Sequence, residues 1–244
     1  MTAEPPFPPV ILTIDCVLLT LLTGEGGDGL AVALLTRPNA PFAGMAALPG
    51  GYVHADADAD LAAGARRVLA TKLALDVEGL FLEQLCTVSG AGRDPRGWSA
   101  SVVYYVLVPE ARLSARADAR PRLAPVDALP PLAFDHAEIV ARAVERLRSK
   151  TGYSNLPGFL LPGAFTLPEL QNVYERVLGR RLDQSVFRRR MDELGLIEAV
   201  PDGFRTGGRH RPAQLYRLAA PTASLHDRTI AQRTRVRPGD GRSR

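Results

Sequence analysis

Two apolar runs, "VILTIDCVLLTLLT" over residues 10–23 and "LAVALLT" over 30–36, flank the string "GEGGDG". Both runs are rich in Leu and β-branched residues, which favour extended backbone, and the Gly-rich stretch supplies the freedom of a turn. The pattern predicts two strands joined by that turn, and it commits the first part of the chain to a sheet. A second strand pair is expected from about residues 80–89 and 99–108, around "WSASVVYYVL", across a loop containing Gly, Asp and Pro. Between the pairs, Leu61, Ala62, Ala65, Leu69 and Leu73 recur at helical spacing, which predicts a helix over 60–74 with one face on the sheet.

The rest of the chain punctuates differently. Residues 109–133 carry several Pro and alternating charges and read as a long surface connection. The run "DHAEIVARAVERLRSK" predicts a helix capped by Asp135, with Ile139, Val140, Ala143, Val144 and Leu147 as its buried face. Gly and Pro in "TGYSNLPGFLLPGAF" mark a boundary between units at 1–153 and 154–220. A length of 244 residues with 46% apolar content suits two such units. Thr166 and Glu169 then form a capping box, with Pro168 in the first turn, ahead of Leu170, Val173, Tyr174, Val177 and Leu178. Gly179 stops that helix, and Asp183 caps a second one whose core face is Phe187, Met191 and Leu194. Two strand-like runs follow, "LIEAV" and "AQLYRL", around a loop rich in Gly and Arg. Helix, helix and hairpin make a winged helix-turn-helix. Residues 221–244 are polar, basic and weakly patterned, and are expected to form a disordered tail.

Composition narrows the partners. The start "MTAEPPFPPV" has neither a basic opening nor a sustained apolar run, and Asp15 and Thr20 interrupt the longest apolar stretch. A cytoplasmic protein without membrane attachment is expected. Cys16 and Cys86 sit in strand-like runs without metal-ligand spacing, so buried free thiols are expected. The overall charge of +4 is unevenly placed: residues 155–244 hold 16 Arg against nine Asp plus Glu, a net of +7, leaving −3 for residues 1–154. A basic C-terminal unit points to a polyanionic partner.

The stretch "LPGGYVHADADADLAAGARRVLATKLALDV" resembles the Nudix family, whose motif runs G-x5-E-x7-R-E-U-x-E-E-x-G-U with U aliphatic. The resemblance implies an α/β/α sandwich in which helix glutamates grip Mg²⁺ while water attacks a nucleoside diphosphate. With Arg67 on the motif Arg, the first helix Glu falls on Val68, the Glu pair on Thr71 and Lys72, and the late Gly on Ala74. Positions 68, 71 and 72 share one helix face through their i, i+3 and i+4 spacing, where carboxylates could converge on an ion. Here that face offers an isopropyl group, a hydroxyl and an ammonium, so no catalytic residue and no resident metal or cofactor is expected. Asp56, Asp58 and Asp60 in the preceding loop, with Glu83, are the alternative ligands of a hydrolase reading; the blander reading is a solvated acidic loop.

What survives suits binding. Gly50 and Gly51 allow close backbone approach to a phosphate, and Arg37, Arg67 and Arg96 offer planar donors to a diphosphate. Asp94 and Arg96 belong to a "DPRG" string found in Nudix proteins of the ADP-ribose type, although the same string also makes an ordinary turn with a structural Arg–Asp pair. Arg67, likewise, either meets the ligand or braces the loop.

On the second helix of the C-terminal unit, Ser185, Arg188 and Arg189 lie opposite the apolar face, with Arg190 nearer the buried edge; these are candidates for the major groove. Arg205, Arg209, His210 and Arg211 cluster in the wing, suited to phosphate or the minor groove. A winged helix also serves as a protein-interaction module, but a basic helix and a basic wing together favour DNA. The combination of "LPGG", "DPRG", "FDHAEI", "FRRR" and "GRHRPAQLYR" resembles the Nudix-related transcriptional regulators of NAD metabolism over about residues 10–219. The resemblance implies an α+β protein, a Nudix-like sandwich followed by a winged helix. It further implies a homodimeric repressor that senses ADP-ribose or a related nucleotide and binds a double-stranded operator. The competing reading is an active hydrolase of ADP-ribose or another nucleoside diphosphate derivative.

Overall fold

The computed structural model describes residues 10–22, 29–113, 121–206, 212–220, 222–225 and 230. The first unit runs β1 (Ile11–Leu22), β2 (Gly29–Thr36), β3 (Ala46–Ala47), β4 (Gly50–Tyr52), α1 (Leu61–Leu73), β5 (Phe81–Gly90), β6 (Ser99–Leu107), α2 (Glu110–Leu113), β7 (Arg122–Pro125) and α3 (His136–Thr151). β1 is the centre of a mixed sheet. It pairs parallel with β6 and antiparallel with β2 and β4, while β5 pairs with β6 and both β3 and β7 attach to β2.

Both faces of this sheet are covered, which is why its central strands are apolar at nearly every position rather than alternating. Side-chain alternation still sorts them. Ile14, Cys16 and Leu18 of β1, with Val102, Tyr104 and Val106 of β6, pack under Ala65, Val68 and Leu69 of α1. Val17 and Leu19, with Val103, Tyr105 and Leu107, pack under Ile139, Ala143 and Leu147 of α3. The result is the expected three-layer sandwich. Cys16 is buried in it as a free thiol, whereas Cys86 is only half-buried.

Asp60 caps α1 by accepting from Ala63 N at 2.6 Å, and Ala74 ends it in the left-handed region at φ 48°. Two local expectations are corrected. Residues 109–133 are not simply a surface connection, because β7 adds a strand with Ala124 buried and α2 buries Leu113. Four residues bounded by Arg122 and Pro125 are too short to show a strand period. Asp135 makes no side-chain cap bond to α3; both its oxygens accept instead from Arg93, at 3.0 and 2.9 Å.

The second unit comprises a 3-10 helix (Leu156–Leu160), β8 (Phe165–Thr166), α4 (Leu167–Leu178), α5 (Gln184–Glu193), β9 (Ile197–Arg205) and β10 (Ala213–Leu218), with strand order β8-β10-β9. The Thr166–Glu169 capping box is formed, Gly179 ends α4 at φ 66°, and Asp183 caps α5 by accepting from Val186 N at 2.9 Å. Each such cap contributes about 1 kcal/mol to its helix. Phe165, Leu170, Tyr174, Phe187, Met191 and Leu196 form the core.

The segment read as a boundary is not an exposed linker. The 3-10 helix is buried, and Leu156, Phe159 and Leu160 share one apolar cluster with β1, α3, and Val173 and Val177 of α4. Residues 222–225 and 230 make specific contacts with the folded units. Asn155 bonds to Thr222 O and Ser224 N, Ser154 bridges to Leu225, and Ile230 joins the second core with its N–H on Gly152 O. Isolated apolar residues in a polar run leave no periodic signal. The remaining tail residues lie outside the described ones.

Candidate functional site

A polar cavity of about 350 Å³ opens where β1, β4, the C-terminal part of α1 and the loops after β2 and β5 meet. Of the residues expected to bind a ligand, Arg37, Gly50, Gly51, Asp94 and Arg96 line it, and so does Lys72. Arg67 does not.

Each basic group is placed by a specific partner. Arg96 makes a two-pronged contact with Asp94, at 3.0 and 2.6 Å, and its Nη1 meets the Tyr52 hydroxyl at 2.5 Å. Asp94 also accepts from Arg96 N at 3.0 Å and is buried. Hydrogen bonding from Arg96 holds its carboxyl below the usual range despite burial. The "DPRG" turn is therefore a structural Arg–Asp pair, and both of its charged residues line the cavity. Arg37 donates from Nε to Pro41 O at 2.9 Å and lies 4.6 Å over the Phe134 ring. Burial first, and then the nearby Arg96, lower its pKa.

Arg67 is taken up by the acidic loop. It donates to both oxygens of Asp58, at 2.6 and 2.7 Å, and to Tyr52 O at 2.9 Å. Asp58 also accepts from His54 N at 2.8 Å, and its pKa is depressed chiefly by Arg67. Gly64 lies beside it, where a Cβ would stand 2.9 Å from the carboxylate and 2.5 Å from Ile14 Cδ1, so one of those side chains would have to shift.

Tests of the alternative metal ligands run against them. Asp58 is committed to Arg67 and Asp60 to the α1 cap, Asp56 is exposed, and Glu83 pairs with Arg146 and Lys150 of α3 at 3.0 and 2.7 Å. On α1, Val68 is buried and the Thr71 hydroxyl donates back to Arg67 O at 2.8 Å. Among the described residues, no group of three or more His, Cys, Asp or Glu could hold a metal ion. The donor set does not fit a divalent cation.

Sequence reasoning missed the floor of the cavity. Asp15, buried in β1, accepts from Ser101 Oγ at 2.6 Å and stands 3.7 Å from both Arg93 Nη2 and His136 Nε2. His136 Nδ1 accepts from Leu48 N at 3.0 Å, which places its proton on Nε2 toward Asp15. Burial pushes the His136 pKa down, so the ring is neutral. A Cβ on Gly50 would fall 2.3 Å from Asp15 Oδ1, so this glycine lets β4 pass over the carboxylate. The available signal was Asp15 itself, a charge inside an apolar strand, which must find buried partners.

His136 and Asp135 start α3, and its other end reaches the second unit. Arg148 donates to Val177 O at 3.2 Å, and Tyr174 donates to Ser154 O at 2.7 Å just beyond the helix. A larger cavity of about 690 Å³ lies at this junction, lined mainly by apolar residues including Leu161, Pro168 and Val173.

On α5, Ser185, Arg188 and Arg189 are exposed, as expected. Ser185 donates to Asp183 at 2.6 Å and Arg189 lies 3.5 Å from Glu193. Arg188 has no ion pair or hydrogen bond among the described residues. Arg190 is half-buried and bound to Glu193 at 2.8 Å, while Arg205 pairs with Glu169 of the α4 cap. Arg209, His210 and Arg211 lie outside the described residues.

A degenerate Nudix-like sandwich with a cationic cavity, joined to a winged helix, defines the class. Comparison with known proteins gives the family. Residues 157–218 match the model of the NrtR DNA-binding winged helix domain. Over 221 residues the chain is 39% identical to the ADPR responsive transcriptional repressor NtrR of Acinetobacter baylyi, covering 87% of this chain and 84% of that protein. It also superposes with a TM-score of 0.75, at 39% identity, on Shewanella oneidensis NrtR crystallised with a 27mer DNA, covering 86% of this chain and 94% of that one. Over 110 residues the chain is also 36% identical to an ADP-ribose pyrophosphatase of Methanocaldococcus jannaschii; the match spans 45% of this chain and 63% of that protein. The chain belongs to the NrtR family of transcriptional regulators, with a Nudix-like domain and a winged helix. No described helix is long and apolar enough to cross a membrane.

Proposed function

We propose that this chain is a homodimeric, cytoplasmic transcriptional repressor whose Nudix-like domain senses ADP-ribose, or a related nucleotide, and thereby changes operator binding. The observation that carries the reading is that one alignment, at 39% identity, spans both units of an ADPR responsive repressor. Arg37 and Arg96 face the effector across Gly50 and Gly51, Asp94 orients Arg96, and Arg67 holds the acidic loop in place. In the winged helix, Ser185, Arg188 and Arg189 meet the major groove, and Arg209, His210 and Arg211, which lie outside the described residues, are assigned to phosphate or the minor groove. Arg190 and Arg205, which already have acidic partners, support the interface from behind. Two copies would read two half-sites related by the protein's own two-fold axis.

An effector changes DNA affinity only if it prefers one arrangement of the two units. α3 is suited to this: 16 residues span about 24 Å at 1.5 Å per residue, from the cavity floor to the α4 contacts. A shift of His136 on effector binding is carried along the helix to Arg148 and α4, and ADP-ribose releases the operator. The test is fluorescence anisotropy of the full-length protein on DNA from its own upstream region, titrated with ADP-ribose while the nucleotide is monitored for cleavage. Tight, salt-sensitive DNA binding that weakens with intact ADP-ribose is expected. Hydrolysis of the nucleotide without DNA binding would overturn the reading in favour of a pyrophosphatase.

A further inference from the structure

The cavity's charges do not cancel, and the excess has a definite location. Four cations line it, Arg37, Lys72, Arg93 and Arg96, against the carboxylates of Asp15 and Asp94. Arg96 is bound to Asp94 through two bonds, and Arg93 to Asp135 through two, with Asp15 3.7 Å away. Arg37 has one donor on Pro41 O and its guanidinium over Phe134. Lys72 is exposed and makes no hydrogen bond or ion pair among the described residues.

Its position is set by α1. Val68, one turn earlier, packs against the strand below, where a Cβ on Gly51 would stand 3.4 Å from Val68 Cγ2. Lys72 follows at i+4, on the same face, at the open side of the Gly50–Gly51 strand. An ammonium on a flexible stem presents a mobile point charge with three donors, which suits the several oxygens of a diphosphate better than one fixed carboxylate. Without it, a diphosphate entering this cavity would face Asp15 and Asp94 with Arg37 as the main uncompensated cation.

We infer that Lys72 is a binding residue of the cavity: its ammonium neutralises the diphosphate of a nucleoside diphosphate effector, so that the effector binds without a divalent cation. This rests on the effector reading above and adds to it the residue and the ionic form of the ligand. Substitution of a carboxylate position by Lys then does two things at once. It removes the oxygens a metal would need, and it supplies the positive charge the metal would have brought.

The experiment is isothermal titration calorimetry of the full-length protein with ADP-ribose and, separately, with inorganic pyrophosphate, each in EDTA and in Mg²⁺, for wild type, Lys72→Gln and Lys72→Arg. Wild type is expected to bind both in EDTA, with Mg²⁺ changing either affinity by less than about twofold. Loss of one charged hydrogen-bond donor in Lys72→Gln should weaken both by about tenfold or more, with Lys72→Arg recovering most of it. Lys72 is exposed and makes no hydrogen bond or ion pair among the described residues, so both variants should keep the wild-type melting temperature without ligand. Unchanged affinity in Lys72→Gln, or wild-type binding that requires Mg²⁺, overturns the inference. Lys72-dependent binding of pyrophosphate with ADP-ribose ignored removes the effector reading alone and keeps the diphosphate subsite. If neither ligand binds in EDTA, the subsite itself is overturned, whatever the DNA assay gives.

Discussion

The cavity and the recognition helix are both basic, yet they hold their charges in opposite ways. On the cavity floor, Asp15, Ser101, Arg93, Asp135 and His136 are buried or half-buried, interlocked by contacts of 2.6–3.7 Å. On α5, Arg188 and Arg189 stand in solvent, and among the described residues they make one ion pair, Arg189 to Glu193 at 3.5 Å. The first arrangement fixes geometry before any ligand arrives; the second leaves side chains free to adapt to a groove. Buried charges bind a single shape and are costly to disturb, whereas exposed ones contribute to binding without supporting the fold.

The sharpest way to break that contrast is to remove one Arg from each region. Arg93→Ala strands the Asp15 and Asp135 carboxylates and should cost about 3 kcal/mol or more of stability, read as a lowered urea midpoint. Arg188→Ala should change stability by no more than about 0.5 kcal/mol, yet weaken operator binding by about tenfold. Equal stability losses in the two variants would show that the regions do not differ in this way.

A smaller effect comes from pH. Burial holds His136 below the ordinary imidazole range against the opposing pull of Asp15 and Asp135, with Arg93 and Arg37 adding to the depression. The unfolded chain takes up a proton near pH 6.5 where the folded chain does not. The stability this contributes is present above that pH and is lost as pH falls toward the depressed folded value. Asp94, also depressed, loses its contribution only in the more acid window below the unfolded carboxylate pKa near 4. Unfolding free energy should therefore decline between pH 7 and 5.5, and less steeply in His136→Gln. An NMR titration of the His136 ring with a midpoint at or above about 6.5 would contradict this.

The smallest expected change lies at the end of α1. Ala74 occupies the left-handed region at φ 48°, where a Cβ costs about 1–2 kcal/mol, partly offset by the greater freedom glycine loses on folding. Ala74→Gly should raise the melting temperature, corresponding to about 0.5–1 kcal/mol, and leave ligand affinity unchanged. A lower melting temperature would mean that the helix ends differently.

These regions were also unequally legible in the sequence. The winged helix was readable nearly element by element, because its signals are local: Thr166 with Glu169, Gly179 after α4, Asp183 before α5, and apolar residues at helical spacing. The sandwich was readable as strands and two helices, and the loss of carboxylates at positions 68, 71 and 72 followed from helical geometry. Its cavity floor was not readable. Asp15, Arg93 and His136 come from β1, the loop after β5 and the start of α3, and only the folded sheet brings them together. Asp135 illustrates the limit: local pattern made it a helix cap, and a bidentate contact with Arg93, 42 residues away, took its carboxylate instead. Lys72 was visible as a substitution, but its place at the cavity required the position of α1 over β4.

One feature of the packing bears on how such a chain is inherited. Val173 and Val177 of the winged helix share an apolar cluster with β1, β6 and α3 of the sandwich, and the buried 3-10 helix lies between them. A cut near residue 154 would expose this cluster on both fragments. The two units are consequently less like interchangeable beads than like halves of one casting. A descendant can acquire a new effector by editing residues around the cavity, or a new operator by editing α5. Trading either half for an unrelated one would require remaking the seam as well.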